Sequence, residues 1–325
     1  MHIFWTFVVI YCIIFGKHLC ADCPKDEIIK PCYCTVDRFF RTTKITCEQK
    51  NVDIKAIFKT LSAEIKGSDK LYDEFHMRGT GISELVDGML SDVKFKKITI
   101  ESEPQLTKFN VNALSLSAQL VVDSLSILDT PVQSQSSPDV FKFINTLTNL
   151  GFLSFRNTKL TAIPNNAFYG LSKLTNIALQ NGVLTRVETN SFSNLSSLQE
   201  LDLSSNKITY ISDQAFDLGN NNTSNAMRLA LNSNGVTDKQ LYDLVKGILN
   251  IKRAVNLDID DNNISILNQK VFEPFLKLRK TNTITVSTLS CQDCYNYWLP
   301  KDFKSSDIQS IHCINADDLL DKNIK

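Results

Sequence analysis

The sequence predicts an α/β solenoid: a curved horseshoe of short coils, with parallel strands on the concave face and a disulfide-bonded cap at each end. Three observations predict it. Short apolar-x-apolar segments recur at steps running from 23 residues (Phe75 to Ile98) to 28 residues (Leu125 to Leu153). An asparagine stands three places after the second apolar position in three successive coils, as Asn206, Asn234 and Asn262. Beyond residue 21, cysteines occur only near the ends, as Cys23, Cys32, Cys34 and Cys47 and then Cys291, Cys294 and Cys313.

The most regular coil is Leu201 to Phe216, LDLSSNKITYISDQAF. It follows the L-x-L-x-x-N-x-L-x-x-L pattern of a leucine-rich repeat. Side chains alternate along a strand, so Leu201 and Leu203 point inward. Asn206 can bond the turn that leaves the strand. Ile208, Ile211 and Phe216 fill the interior behind it. One such coil cannot bury its own apolar edge and needs neighbours.

Residues 2–16 form the apolar run HIFWTFVVIYCIIFG, after which come Lys17, His18 and then Ala21. This reads as a secretory signal over residues 1–21, cut near Cys20 or Ala21, with Cys12 and Cys20 leaving with it. An uncleaved anchor is the alternative. No second apolar run reaches spanning length, so the mature chain is expected outside the cell with no membrane span. Lys and Arg total 35, equal to Asp and Glu at 35. That balance argues against a general nucleic-acid or anionic-membrane surface. Sequons at Asn194, Asn221, Asn222 and Asn263 fit an extracellular chain as glycosylation candidates.

The expected divisions are the signal over 1–21, a cysteine cap with linking helix over 22–70, repeats over 71–283 and a C-terminal cap over 284–325. Cys23 to Cys47 reads C-P-x7-C-x-C-x12-C, and sequence alone allows three pairings of the four cysteines. Its task is to cover the exposed apolar end of the first coil. Zinc is the weaker reading of the four, because a secreted chain meets oxidants first. After it, Ile54, Ile57, Phe58, Leu61 and Ile65 lie at helical spacing, with a loop the alternative over the first half.

Strand starts are expected at Phe75, Ile98, Leu125, Leu153, Ile177, Leu201, Leu229, Leu257 and Ile284, about eight coils and a last strand. Phe168, Phe192, Phe216 and Phe272 recur at one place in their coils and are expected to stack as a core spine. Early coils replace the turn asparagine with Thr80, Thr130, Thr158 and Gly182, and the second carries Glu103. Asp217–Asn225 (DLGNNNTSN) is expected as a solvated loop, and so is Thr130–Pro138. Leu241, Leu244, Val245, Ile248 and Ile251, after a Thr-Asp start, predict a helix within Thr237 to Ala254.

No constellation for catalysis stands out. Beyond the signal only His76 and His312 remain, at opposite ends of the expected solenoid, and no nucleophile elbow occurs. CQDC invites a redox reading, but it lies where a cap belongs. Asp258, Asp260 and Asp261 could hold calcium, yet no bidentate glutamate or loop of the required length follows; a solvated acidic face is the simpler reading. No cofactor is expected, and the chain is expected not to be an enzyme.

Binding falls to the concave face. Its outward positions include His76, Arg78, Glu101, Leu128, Arg156, Gln180, Asp202, Ser204, Asn232, Asp258 and Asp260. The face is polar and acidic toward its end. Arg78 and Arg156 are its hot-spot candidates. A basic partner is expected near Asp202, Asp258 and Asp260.

Nearly the whole chain resembles secreted arthropod-type leucine-rich repeat proteins, among them those similar to the oplophorus-luciferin 2-monooxygenase non-catalytic subunit. The start CPKDEIIKPCYC, the degenerate early coils, VFEPFLKL and the C-x-x-C-x3-W-L-…-C end carry that resemblance. It implies the pairs Cys23–Cys34, Cys32–Cys47 and Cys291–Cys313, with Trp298 packed over the last coil. It leaves Cys294 odd, as a free thiol or the seat of a covalent dimer. Two departures stand out: Cys-x-x-Cys replaces the usual Cys-x-Cys, and the fourth cysteine of that cap is missing. The implied role is a secreted, non-catalytic binding or stabilising subunit with a protein partner. An adhesion or pattern-recognition molecule for glycan or microbial surfaces is the alternative.

Overall fold

The computed structural model describes residues 22–133, 139–219, 225–286, 288–290, 298, 308–309 and 312–314. Residues 1–21, read above as a signal, lie outside these residues, as do Asn221, Asn222, Cys291, Cys294 and the side chains of His312 and Cys313. The chain divides into two compact units, Met1–Val132 with Ser136–Leu150, and Gln133–Gln135 with Gly151–Lys325.

The first unit begins with a stapled cap. After helix α1 (Asp26–Ile29), strands β1 (Tyr33–Val36) and β2 (Thr43–Cys47) pair antiparallel, with Tyr33 opposite Thr46. Disulfides join Cys23 to Cys34 and Cys32 to Cys47, so each strand of the hairpin is tied at its base. Strand β2 then starts a parallel ladder with β3 (Leu71–Arg78), β4 (Lys94–Glu101) and β5 (Ser124–Leu128). The register sets Ile45 beside Phe75, Phe75 beside Ile98 and Ile98 beside Leu125. The expected strand starts therefore align here, where the sequence pattern is weakest.

Helix α2 (Ile54–Glu64) is the linking helix, and the Asp53 carboxylate caps it by accepting from Ala56 N at 2.9 Å. It buries Ile54, Ile57, Phe58 and Leu61. Phe58 meets Phe75 edge-on at 5.0 Å and Phe95 at 5.7 Å. Tyr72 lies against Phe95 in the same cluster, and burial pushes its hydroxyl up to about 12. Short helix α3 (Leu116–Gln119) follows, capped by Ser115.

Two expectations change at the end of this unit. Thr130 and Val132 are fully buried, so the start of Thr130–Pro138 is not a solvated loop. Thr130 turns inward because its hydroxyl donates to Leu128 O and accepts from Glu103 N, both within the stack. Residues 139–146 form helix α4 (Asp139–Thr146), which the periodicity did not flag. At eight residues it spans barely two turns. Its Phe143 nonetheless reaches Phe109 at 6.0 Å.

The second unit is the more regular. Strands β6 (Phe152–Arg156), β7 (Asn176–Gln180), β8 (Glu200–Asp202), β9 (Met227–Ala230), β10 (Val255–Asp258), β11 (Thr283–Thr285) and β12 (Ile308–Gln309) run parallel. Leu153, Ile177, Leu201, Leu229, Leu257, Ile284 and Ile308 stand in one row. On the return side, two-residue strands at 162–163, 186–187 and 210–211 make a second small ladder. Phe168, Phe192 and Phe216 stack at 5.7 Å, with interplanar angles of 17° and 7°. This is the expected spine over three coils.

After Phe216 the return side changes character. Helix α5 (Asp238–Ile248) is the one expected, opened by Thr237, whose N–H donates to Gln240 Oε1 at 3.1 Å. Helix α6 (Gln269–Leu278) was not expected. It carries Pro274 inside, a residue that removes a helical hydrogen bond and argues against a helix on sequence grounds. Phe272 is buried on α6 rather than at a turn. Asp217 is exposed as expected of a solvated Asp217–Asn225 loop, but Leu218 is buried. Trp298 is buried, and its Nε1 donates to Leu267 O at 2.9 Å.

Turn asparagines tie successive coils together. Asn234 Nδ2 donates to Leu231 O and Asn232 O in its own coil and to Leu203 O of the coil before. Its Oδ1 accepts from Ile208 N at 3.0 Å. Asn206 and Asn262 repeat this arrangement. In the first unit Glu103 holds the corresponding place and is fully buried. It only accepts: Oε1 from Thr80 N and Oγ1 at 2.8 and 2.9 Å, Oε2 from Gly81 N at 2.9 Å.

Candidate binding faces

Because strand side chains alternate, the parallel ladders put one set inside and leave the other on an open face. In the first unit that face carries Lys44, Glu74, His76, Arg78, Lys97, Thr99 and Glu101. Glu74 lies between Lys44 at 3.5 Å and Lys97 at 3.4 Å and accepts from Thr99 Oγ1 at 2.9 Å. Burial pushes the Glu74 carboxyl up, but the Thr99 bond and the two lysines outweigh it and hold the group below its ordinary value. Glu101 takes His76 Nε2 at 2.9 Å and Arg78 Nε at 3.7 Å. Burial, aided by Lys44, lowers the His76 pKa against the pull of Glu101 and Glu74. Positive and negative groups are interleaved and largely paired.

The second unit differs. Asp202 is buried to 8% exposure, accepting from Ser204 N at 3.0 Å and Gln180 Nε2 at 2.6 Å. Arg228 reaches across three strands, to Glu200 at 2.7 Å, Asp202 at 3.2 Å and, at the limit of an ion pair, Asp258 at 4.0 Å. Burial raises the Asp202 carboxyl, yet the Ser204, Arg228 and Gln180 bonds carry it below the ordinary range. Asp258 goes the other way. Burial raises it, Asp260 and Asp202 add repulsion, and Arg228 is too distant to compensate.

Sequence reasoning placed Asp202, Asp258 and Asp260 on this face, and the structure brings them together. It did not find Arg228, although the signal was present. Arg228 stands one residue before the inward Leu229, and alternation puts that position on the same face as Asp202. Arg78 and Arg156 are both exposed at strand ends, Arg78 on β3 of the first unit and Arg156 on β6 of the second. Among the described residues no group of three or more His, Cys, Asp or Glu is placed to hold a metal ion. Asn194 and Asn263 are exposed, and Ser265 of the second sequon donates its hydroxyl to Asp238 at 2.7 Å.

Residues 172–221 match the family model described as Leucine rich repeat. The fold is a leucine-rich repeat fold. A chain of the TLR13–ssRNA13 complex is similar over 81% of this chain and 38% of its own, at 17% identity and a TM-score of 0.54. This chain thus spans well under half of that one, and the likeness is one of fold alone. A chain of the octameric complex of Latrophilin 3, Unc5D and FLRT2 is 19% identical over 74% of this chain and 77% of its own, with a TM-score of 0.49. An internalin from Listeria monocytogenes is 16% identical over 72% and 71%, with a TM-score of 0.38. No curated protein sequence matches the chain. Among the described residues no helix is long and apolar enough to cross a membrane.

Proposed function

We propose that the protein is a secreted, non-catalytic leucine-rich repeat scaffold that binds a basic segment of a protein partner on the open strand face of its second unit. One observation carries this reading: Glu200, Asp202 and Asp258 outnumber the Arg228 guanidinium they share, and Asp258 is held above its ordinary carboxylate pKa. An incoming lysine or arginine would relieve that repulsion, so charge complementarity favours a cation there. The balanced face of the first unit offers no such excess. Two disulfides in the cap support an oxidising, extracellular setting. Exposed Asn194 and Asn263 are the glycosylation sites this reading favours.

The test is affinity capture from the native secretion with wild-type protein and with Asp258→Lys/Asp260→Lys, the captured proteins being identified by mass spectrometry. A stoichiometric partner whose affinity falls by about tenfold or more in the variant is expected. A partner bound equally by both removes the acidic face from the reading. Capture of polysaccharide in place of protein removes the scaffold role itself.

A further inference from the structure

Among the described residues, the most exposed apolar side chains are not on either strand face. Phe39 and Phe40 are 91% and 82% exposed, side by side on the turn that joins β1 to β2. Arg38 and Arg41 flank them and are exposed as well. Adjacent phenylalanines left in water at a turn gain nothing for the fold, since each forgoes the burial that would stabilise it.

The tip is built rather than loose. The Asp37 carboxylate accepts from Phe39 N at 2.8 Å and Phe40 N at 2.7 Å. Arg41 N donates to Asp37 O and Asp37 N to Thr42 O, each at 2.9 Å. Four backbone N–H groups of the tip are thus satisfied within the tip itself. That is the condition for entering an apolar phase, where an unbonded amide costs several kcal/mol. Arg41 adopts φ +53°, a left-handed position that glycine would fill with less strain. An arginine there adds a cation beside the two rings. The arm below is braced at its base by the Cys23–Cys34 and Cys32–Cys47 disulfides, so little ordering remains to be done on docking.

We propose that this cap hairpin is a membrane-docking tip: Phe39 and Phe40 enter the interfacial layer of an anionic lipid bilayer while Arg38 and Arg41 meet lipid phosphates. Aromatic rings with flanking cations are the side chains an interface takes, the rings in the acyl boundary and the long cations reaching the headgroups. The chain's zero net charge does not oppose this, because the contact involves one short turn and screening limits its field to about 8–10 Å.

The experiment is sedimentation of the full chain with vesicles of phosphatidylcholine containing about 30% phosphatidylserine, and with pure phosphatidylcholine vesicles. Wild type is compared with Phe39→Ser/Phe40→Ser and with Arg38→Ala/Arg41→Ala, and circular dichroism and thermal unfolding check that these exposed changes leave the fold intact. Wild type is expected to partition onto the anionic vesicles. The serine pair should reduce partitioning by about tenfold or more, and the arginine-to-alanine pair should abolish the preference for anionic lipid. A Phe39→Trp variant should show a blue-shifted emission on binding. Failure of wild type to partition overturns the proposal and leaves a protein groove as the occupant. Equal partitioning of wild type and the serine pair overturns it too, and assigns the binding to another segment such as the apolar residues 3–15.

Discussion

The turns of the two units solve one problem with opposite chemistry. Each coil leaves its strand through a turn whose backbone groups are buried and must find partners. In the second unit Asn206, Asn234 and Asn262 supply donors and an acceptor together, so each bonds carbonyls of two coils and one amide. In the first, Glu103 supplies acceptors alone, and the preceding coil answers with donors only, from Thr80 and Gly81. The asparagine solution is self-consistent from coil to coil and can be repeated. The glutamate solution is satisfied only where the coil before it presents three donors, and among the described turns it is used once. Regularity in the second unit follows from a side chain that can be both ends of its own ladder.

That contrast gives the largest expected effect. Glu103→Ala strands three donors, two of them buried, and should cost about 4 kcal/mol or more, since bonds to a carboxylate contribute roughly 1.5–3 kcal/mol each and do not add fully. Glu103→Gln keeps the acceptor for Thr80 but sets an amide NH2 against Gly81 N, for a loss of about 2 kcal/mol. Asn234→Ala should fall between, at roughly 2–3 kcal/mol, because stranded carbonyls tolerate water better than stranded amides. Denaturant unfolding of the three variants gives the ranking. Equal losses for Glu103→Ala and Glu103→Gln would show that charge, not the donor–acceptor pattern, governs the first unit.

The inward side of this molecule was readable throughout, the outward side only in part. A row such as Leu153, Ile177, Leu201, Leu229, Leu257 and Ile284 is dictated by burial, which leaves a period in the sequence. Even Phe75 and Ile98, in coils that lack the asparagine, fell into register. Helices α4 and α6 escaped because eight and ten residues offer few turns of periodicity, and Pro274 speaks against the second. The bridging role of Arg228 depends on which strands neighbour β9, a fact of topology rather than of local sequence. Phe39 and Phe40 look like ordinary core residues in a hydrophobicity profile; only the hairpin places them outside.

A smaller effect marks the edge of the asparagine ladder. Gly182 precedes its first member by one coil, and a Cβ there would stand 2.8 Å from Asn206 Oδ1 and 3.5 Å from Thr158 O. The fifth coil therefore carries a glycine where the first, third and fourth carry threonine, because Asn206 needs the space. Gly182→Ala should cost about 1–2 kcal/mol in the wild-type background. In an Asn206→Ala background most of that cost should vanish, giving a coupling of about 1 kcal/mol in a double-mutant cycle. Additive losses would mean that the backbone at Gly182, and not the asparagine, sets the requirement.

The faint end of the contrast is in pH. His76 in the first unit has its pKa depressed by burial and Lys44, with Glu101 and Glu74 opposing. Its unfolded form binds a proton more readily, so its contribution is present above the unfolded pKa, about 6.5, and is lost as pH falls through the folded value. In the second unit Asp202 is depressed and behaves likewise only in the carboxylate range, below about pH 4. Asp258 is raised, so its contribution is fully present below the unfolded carboxylate pKa and is lost as pH rises through its folded value, opposing Asp202. Between about pH 7 and 5 His76 should therefore contribute a stability slope that Asp202 does not. His76→Gln should flatten Tm over that interval by no more than about 2–4 °C, while Asp202→Asn leaves the slope there unchanged. A slope that survives His76→Gln would move the titrating group out of the first unit's strand face.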